Sequence, residues 1–326
     1  MLSDRARYSL KGGFKKGWEG FVWMAKIIIP VSFLTALLEY SGLLYQLNWV
    51  LEPVMDVLNL PPAASLPLVV GMLTGIYTAI AAMVVLPLTV EEMTLVAVFI
   101  MISHNLIQEG IIQAKSGLGA IKATLVRLTA SVVTVIIAAQ FLKGDVQADA
   151  ASAGALWIAK PFLAVIKAWF LATLLLFIKI FVIIIAIMIV MEIMRNYRWI
   201  DSIVKVLRPF MRVLGLQEKV GMMWLTAAVF GLSYGAAVIV SDARNGSFTQ
   251  TELEGLHISI GINHAIIEDP ALFLSLGLNP FWLWVPRFIA AIIAVHMFAL
   301  WQAIRHGRDS AQAIKPEEQG KPQNIE

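Results

Sequence analysis

The sequence predicts an all-α integral membrane protein made of two inverted-topology repeats. Each repeat holds about three transmembrane helices, a re-entrant helical hairpin and an interfacial amphipathic helix. Three observations predict it: apolar runs long enough to cross a bilayer, an internal repeat that keeps polar residues in register, and a Lys/Arg pattern that changes sides between the halves.

The 326 residues are 59% hydrophobic and 14% charged, with a mean hydropathy of +0.78. Soluble domains average roughly 45–50% apolar and about 25% charged. The excess is gathered into runs such as 18–38, 171–191 and 281–301. Each is long enough for a hydrocarbon core of about 30 Å at 1.5 Å per residue. There is no cysteine, which excludes disulfides, thiolate metal sites and thiol catalysis. The net charge of +3 is basic, but the basic residues cluster beside apolar runs, a topology signal in place of a nucleic-acid surface. Arg5, Arg7, Lys11, Lys15 and Lys16 precede the first run, which lacks the cleavage site of a signal peptide and is expected to be retained.

The repeat is read from residues that apolar similarity cannot align by accident. Lys26 and Glu39 recur as Lys179 and Glu192, at an offset of 153. VLEPVMDVLNL at 50–60 recurs as VLRPFMRVLGL at 206–216, seven of eleven positions being identical, and in that register Gly75 falls on Gly231. After a small insertion Thr89 and Glu92 match Thr249 and Glu252, His104 matches His264, Glu109 matches Asp269, and Arg127 matches Arg287. The expected units are repeat A over 1–143, a linker over 144–158, repeat B over 159–306, and a polar, disordered cytoplasmic tail over 307–326.

Orientation follows from charge. No Lys or Arg lies between Lys26 and Lys115, whereas the matching part of the second half carries Arg195, Arg198, Lys205, Arg208, Arg212 and Lys219. Later the pattern swaps: Lys115 and Lys122 flank the loop around Gly117, and its counterpart at 274–281 is uncharged. Equivalent loops are therefore expected on opposite sides, which needs an odd number of crossings per half. The first half has four apolar segments, about 18–38, 64–86, 93–113 and 119–142, so one must enter and leave on the same face. Segment 64–86 and its counterpart 220–240 are the candidates for that re-entrant role. Each is interrupted by glycine and small polar residues: Thr74-Gly75-Ile76-Tyr77-Thr78 and Gly231-Leu232-Ser233-Tyr234-Gly235. Four full crossings per half would instead place Lys115, Lys122 and the basic 195–219 segment outside. The preferred topology keeps both termini in the cytoplasm of a bacterial inner membrane.

Segments 43–60 and 199–216 are too polar and proline-broken to span, and read as interfacial amphipathic helices. Thr89/Glu92 and Thr249/Glu252 have capping-box form at the start of the next span. That span carries the polar groups of interest. One copy reads Ser103-His104-Asn105, then Gln108 and Glu109; the other reads Asn263-His264, then Glu268 and Asp269. On a helix, His104/Gln108 and His264/Glu268 share a face four residues apart. Carboxylates cost several kcal/mol in hydrocarbon, so these side chains are expected to face protein or a wet cavity.

The functional reading is a central solute or ion site from His104, Asn105, Gln108, Asn263, His264 and Glu268. The hairpin residues Thr74, Gly75, Tyr77, Thr78, Gly231, Ser233 and Tyr234 complete it. The metal question stays open: a His with nearby carboxylates can ligate a divalent ion or titrate. The structural alternative is helix–helix hydrogen bonding for the histidines and ion pairing of Glu109 with Arg127 and Asp269 with Arg287. No HExxH, GxSxG, Walker A or CxxCH motif is present, so neither an enzyme nor a bound cofactor is expected. Expected partners are the lipid bilayer and a small-molecule or ion substrate, with no nucleic acid and a homo-oligomer left open.

The duplicated unit, a VLxPxMxVLxL segment followed by a Gly-centred hairpin, resembles the Gate or nucleoside-recognition family, which includes the spore maturation proteins A and B. Related gate segments occur in concentrative nucleoside transporters and in the membrane part of ferrous-iron transporter B. The resemblance covers roughly 18–142 and 171–304 and matches the hairpin glycines Gly75 and Gly231. No GTPase domain accompanies it, so the iron-transporter arrangement is incomplete here. It implies a transport-like fold without carrying over individual substrate-binding residues. The sequence thus points to a secondary-transporter-like protein moving a small polar, nucleoside-like solute or a cation through a midplane site. The alternative is a non-transporting accessory or assembly protein of the spore-maturation type.

Overall fold

A computed structural model of the chain describes residues 4–43, 48–142, 161–197, 210–246 and 248–313. Every regular element among them is helical. In the first half these are α1 (Asp4–Tyr40), α2 (Asn48–Asp56), α3 (Ser65–Thr74), α4 (Ile76–Met83), α5 (Val90–Ser103), α6 (Leu106–Lys115) and α7 (Ala120–Phe141). The second half has α8 (Phe162–Asn196), α9 (Gly221–Asn245), α10 (Gln250–Ile262), α11 (Glu268–Leu274) and α12 (Pro280–Ala313). The expected linker falls outside the described residues, as does most of the amphipathic segment 199–216. Of the expected tail, the first residues continue α12 to Ala313, and 314–326 lie outside the described residues.

Among the described residues, four stretches are long and apolar enough to cross a membrane: Val90–Lys115, Ala120–Phe141, Phe162–Met194 and Pro280–Arg305. The first is 72% buried within the protein and the others only 18–28%, so the His-bearing segment runs through the centre with the apolar helices around it. The apolar exterior of α7, α8 and α12 is what a lipid-facing surface requires.

The first helices of the two halves pack antiparallel. Asn196 donates to Ser9, Lys16 pairs with Glu192 at 2.6 Å, Phe21 meets Phe177 and Phe181, and Tyr40 meets Phe162. The start of α1 thus lies by the end of α8. Gly13 and Gly17 allow this approach: a Cβ on Gly13 would stand 2.5 Å from the Ile189 backbone. The last long helices repeat the arrangement. Phe141, closing α7, meets Trp282 near the start of α12, while Lys122 near the start of α7 lies over Phe298 and Trp301.

Glycine breaks both hairpins. Gly75 separates α3 from α4 at φ 112°, and Gly231 interrupts α9 at φ 76°, conformations that side-chain-bearing residues rarely adopt. The arms fold back closely at small residues. A Cβ on Gly71 would come within 2.9 Å of Ala79, and one on Gly235 within 3.1 Å of Thr226. At the repeat offset Gly71 corresponds to Ala227 and Ala79 to Gly235, so the glycine has moved to the other arm. Both capping boxes form. Thr89 N–H donates to Glu92 and Glu92 N–H to Thr89, at 2.8 and 3.2 Å; Thr249 and Glu252 do the same at 2.7 and 3.3 Å.

Candidate functional site

The centre is built from broken helices. A continuous helix through His104 was expected, with Gln108 on the same face; the structure corrects this. α5 ends at Ser103, His104 is extended, Asn105 takes the left-handed conformation at φ 48°, and α6 restarts at Leu106. The second half breaks at the same place. α10 ends at Ile262, Ala265 has φ 44°, and α11 starts at Glu268. Gln108 therefore points to the exposed side of α6 and does not share a face with His104, nor does Glu268 sit one helical turn beyond His264.

A broken helix at this depth leaves carbonyls without their amide partners, and hydrocarbon cannot supply donors. The two buried arginines do. Arg127 donates from Nε to the Ile102 carbonyl and from Nη2 to that of His104, both at 2.7 Å. Arg287 donates from Nε to Asn263 Oδ1 at 2.8 Å and from Nη2 to the His264 carbonyl. The amides freed by the breaks are taken by the hairpins. Asn105 N–H donates to Gly71 O at 3.2 Å, and Ala265 and Ile266 donate to Ala227 and Ala228 at 3.0 and 2.8 Å. Each hairpin tip touches the residue after a histidine: Gly75 faces the Asn105 side chain, and Gly231 faces Ala265.

This scaffold brings His104 and His264 together, with both side chains buried and their Nε2 atoms 3.2 Å apart. Glu109 Oε1 stands 3.3 Å from each Nε2, and its Oε2 is 2.8 Å from Arg127 Nη1. Asp269 reaches less far: Oδ2 is 4.0 Å from His104 Nε2 and 3.8 Å from Arg287 Nη1. Tyr77 on the first hairpin donates to Glu268 Oε1 at 2.6 Å, tying that hairpin to the second half. Thr74 and Thr78 bond to each other and to the hairpin carbonyls of Val70 and Gly75, so they shape the tip. The side chains of Ser233 and Tyr234 lie outside the described residues.

Among the described residues, several contacts between the halves were not legible in the sequence. His257, within an apolar stretch of α10, is fully buried with Nε2 3.0 Å from the Ser116 carbonyl, and Gln113 donates to the His257 carbonyl at 2.9 Å. Lys122 pairs with Glu254 at 2.6 Å. His257 has Ala97 as its counterpart, so the repeat register that marked the central histidines gave it no signal.

Chemically, the centre converges two imidazole nitrogens and a carboxylate oxygen, with a second carboxylate close by. It can hold a cation or a proton, or present acceptors to a polar solute. Comparison with known proteins agrees with a membrane protein. The model of a family described as Gate, nucleoside recognition, matches residues 21–141 and 177–278, one stretch in each half. The chain is 28% identical over 315 residues to the uncharacterized membrane protein YvoD of Bacillus subtilis (strain 168), covering 92% of this chain and 97% of that one. No solved structure matches it.

Proposed function

Starting from the premise that this chain belongs to the Gate, or nucleoside-recognition, family of membrane proteins, we propose that it is a secondary-transporter-like protein. It moves a small polar, nucleoside-like solute or a cation through one site formed by both halves. The observation that carries this reading is the buried meeting of His104 and His264, one from each half, between helices broken at the same position. Broken helices and hairpin tips meeting at one depth are how inverted-repeat transporters expose backbone and polar groups to a substrate. Ionisable side chains inside a membrane are costly unless they face such a path.

The inverted topology belongs to the same proposal. Antiparallel packing of α1 on α8, and of α7 on α12, supports it, as does the swapped Lys/Arg pattern. The two hairpins are then re-entrant from opposite faces. Both termini lie on the cytoplasmic side of a bacterial inner membrane.

The test is uptake of labelled nucleosides and of divalent cations by proteoliposomes containing the purified protein. Saturable uptake that His104→Ala and His264→Ala each abolish, in variants that still insert and purify as single species, is the expected result. Absence of flux for every solute class would favour the accessory or assembly reading.

A further inference from the structure

The protonation of the two histidines is set by their neighbours. His104 Nδ1 lies 2.9 Å from the Ile100 carbonyl and His264 Nδ1 lies 2.7 Å from the Ile260 carbonyl. A carbonyl oxygen only accepts, so each Nδ1 carries a hydrogen, and in the neutral ring each Nε2 then presents a lone pair. The ring centroids are 4.9 Å apart but the Nε2 atoms only 3.2 Å, so these lone-pair edges face each other. Glu109 Oε1 adds a third acceptor at 3.3 Å from both. Three acceptors converge in a buried space, and something positive must join them.

A single proton is a poor fit. Charge-assisted hydrogen bonds draw their partners to about 2.7–2.9 Å along one line, whereas the three edges here are 3.2, 3.3 and 3.3 Å and form a nearly equilateral triangle. In a tetrahedral site with bonds of about 2.0–2.1 Å, the ligand–ligand edges come to roughly 3.3–3.4 Å. The ligand types point the same way. Two imidazoles with one carboxylate suit borderline first-row divalent ions, while Mg²⁺ and Ca²⁺ take oxygen. The groups behind the ligands are those metal sites use. Each histidine donates its other ring N–H to a backbone carbonyl, and the far oxygen of Glu109 is held by Arg127 at 2.8 Å.

We propose that His104, His264 and Glu109 form a three-ligand site for a tetrahedral divalent cation of the Zn²⁺ type. The fourth position opens toward Asp269, whose Oδ2 stands 4.0 Å from His104 Nε2. This deepens the transport proposal and rests on reading the same centre as a ligand site. Three protein ligands leave one position for an exchangeable ligand, and within the transport reading the cation is cargo.

The experiment uses the full chain in detergent micelles with Zn²⁺ and Co²⁺ as probes. Equilibrium dialysis is expected to give one Zn²⁺ per chain. X-ray absorption should show a four-coordinate nitrogen and oxygen shell at about 2.0–2.1 Å, and Co²⁺ should give the intense visible bands of a tetrahedral complex. His104→Gln, His264→Gln and Glu109→Gln should each weaken Zn²⁺ binding more than the roughly 10–100-fold that loss of a ligand's hydrogen-bond partner costs. His296→Gln, on an exposed histidine, should leave binding unchanged. Where a ligand variant does not fold, the Co²⁺ spectrum of the unaltered protein decides. No stoichiometric binding, an octahedral spectrum, or affinity indifferent to the three ligand variants would overturn the site. Zn²⁺ binding without flux in proteoliposomes upholds the site and sinks the transport reading; nucleoside flux by a protein that takes up no Zn²⁺ or Co²⁺ does the reverse.

Discussion

The two halves place equivalent residues around one centre, yet they do not contribute equally. Glu109 touches both histidines at 3.3 Å and its own arginine at 2.8 Å, while Asp269 stays 4.0 Å from His104 and 3.8 Å from Arg287. One methylene separates the two side chains, and α11 also restarts two residues later in the repeat register than α6, so length and backbone together set the reach. The hairpins differ in the same small way. Glycine sits on the first arm in one half and on the second arm in the other, against a small partner each time. The two halves therefore share the position of the break and of the glycine at the hairpin tip, and differ in where the helix restarts and in side-chain length.

The largest expected effect concerns the relation of the halves to the membrane. Asp56 and Arg212 are equivalent positions, and both are exposed. Single cysteines placed there in this cysteine-free chain should react with an impermeant thiol reagent from opposite sides of the membrane. Labelling of both from one side would end the inverted comparison.

Next come the arginines. Arg127→Ala strands a buried carboxylate and two helix-end carbonyls, and should cost about 3–5 kcal/mol in unfolding from mixed micelles. Arg287→Ala strands comparable acceptors, but its carboxylate stands farther off, so its cost should fall about 1 kcal/mol short. Adding Glu109→Gln to Arg127→Ala should restore only part of the loss, because the carbonyls of Ile102 and His104 remain without a donor. Full recovery would mean the ion pair alone matters.

The hairpin glycines should separate more modestly. Gly71→Ala drives a methyl to 2.6 Å from Ile100 and 2.9 Å from Ala79, and should cost about 1–3 kcal/mol in melting experiments. In Gly235→Ala the nearest atoms are side-chain tips at 3.1 and 3.2 Å that can give way, so the loss should stay below about 1 kcal/mol. Equal losses would show that the two hairpins are packed alike after all.

The smallest expected change tests the methylene itself. Glu109→Asp should hold the third ligand farther from the ion and lower Zn²⁺ affinity by about 10-fold, less than Glu109→Gln, and Asp269→Glu should bring a fourth ligand closer and raise it by a similar factor. Dialysis against Zn²⁺ measures both. An unchanged affinity in Asp269→Glu would place Asp269 off the path of the cation.

Much of this molecule is legible in its sequence. Apolar runs and the repeat register gave the helical membrane class, and the glycines marked the hairpin breaks. Matching His104 with His264 and Arg127 with Arg287 picked out the central polar groups. The break at His104 and Asn105 was not legible, because an apolar run reads as a continuous helix whether or not a distant guanidinium stands ready to bind its carbonyls. The contacts of His257 and Lys122 were not legible for a related reason, since their partners Ser116 and Glu254 lie across the boundary between the halves.

What the sequence determined by itself is local or additive: hydropathy, charge distribution, capping boxes and duplication follow from residues close along the chain or from a fixed offset. Only the tertiary structure decided which atoms share the centre. Whether a carboxylate stands 3.3 or 4.0 Å from an imidazole depends on how each broken helix and its hairpin exchange hydrogen bonds across 34 to 38 residues, and on how the halves then meet at the histidines, 160 residues apart. Short-range electrostatics and coordination change sharply over such differences, and sequence spacing does not encode them.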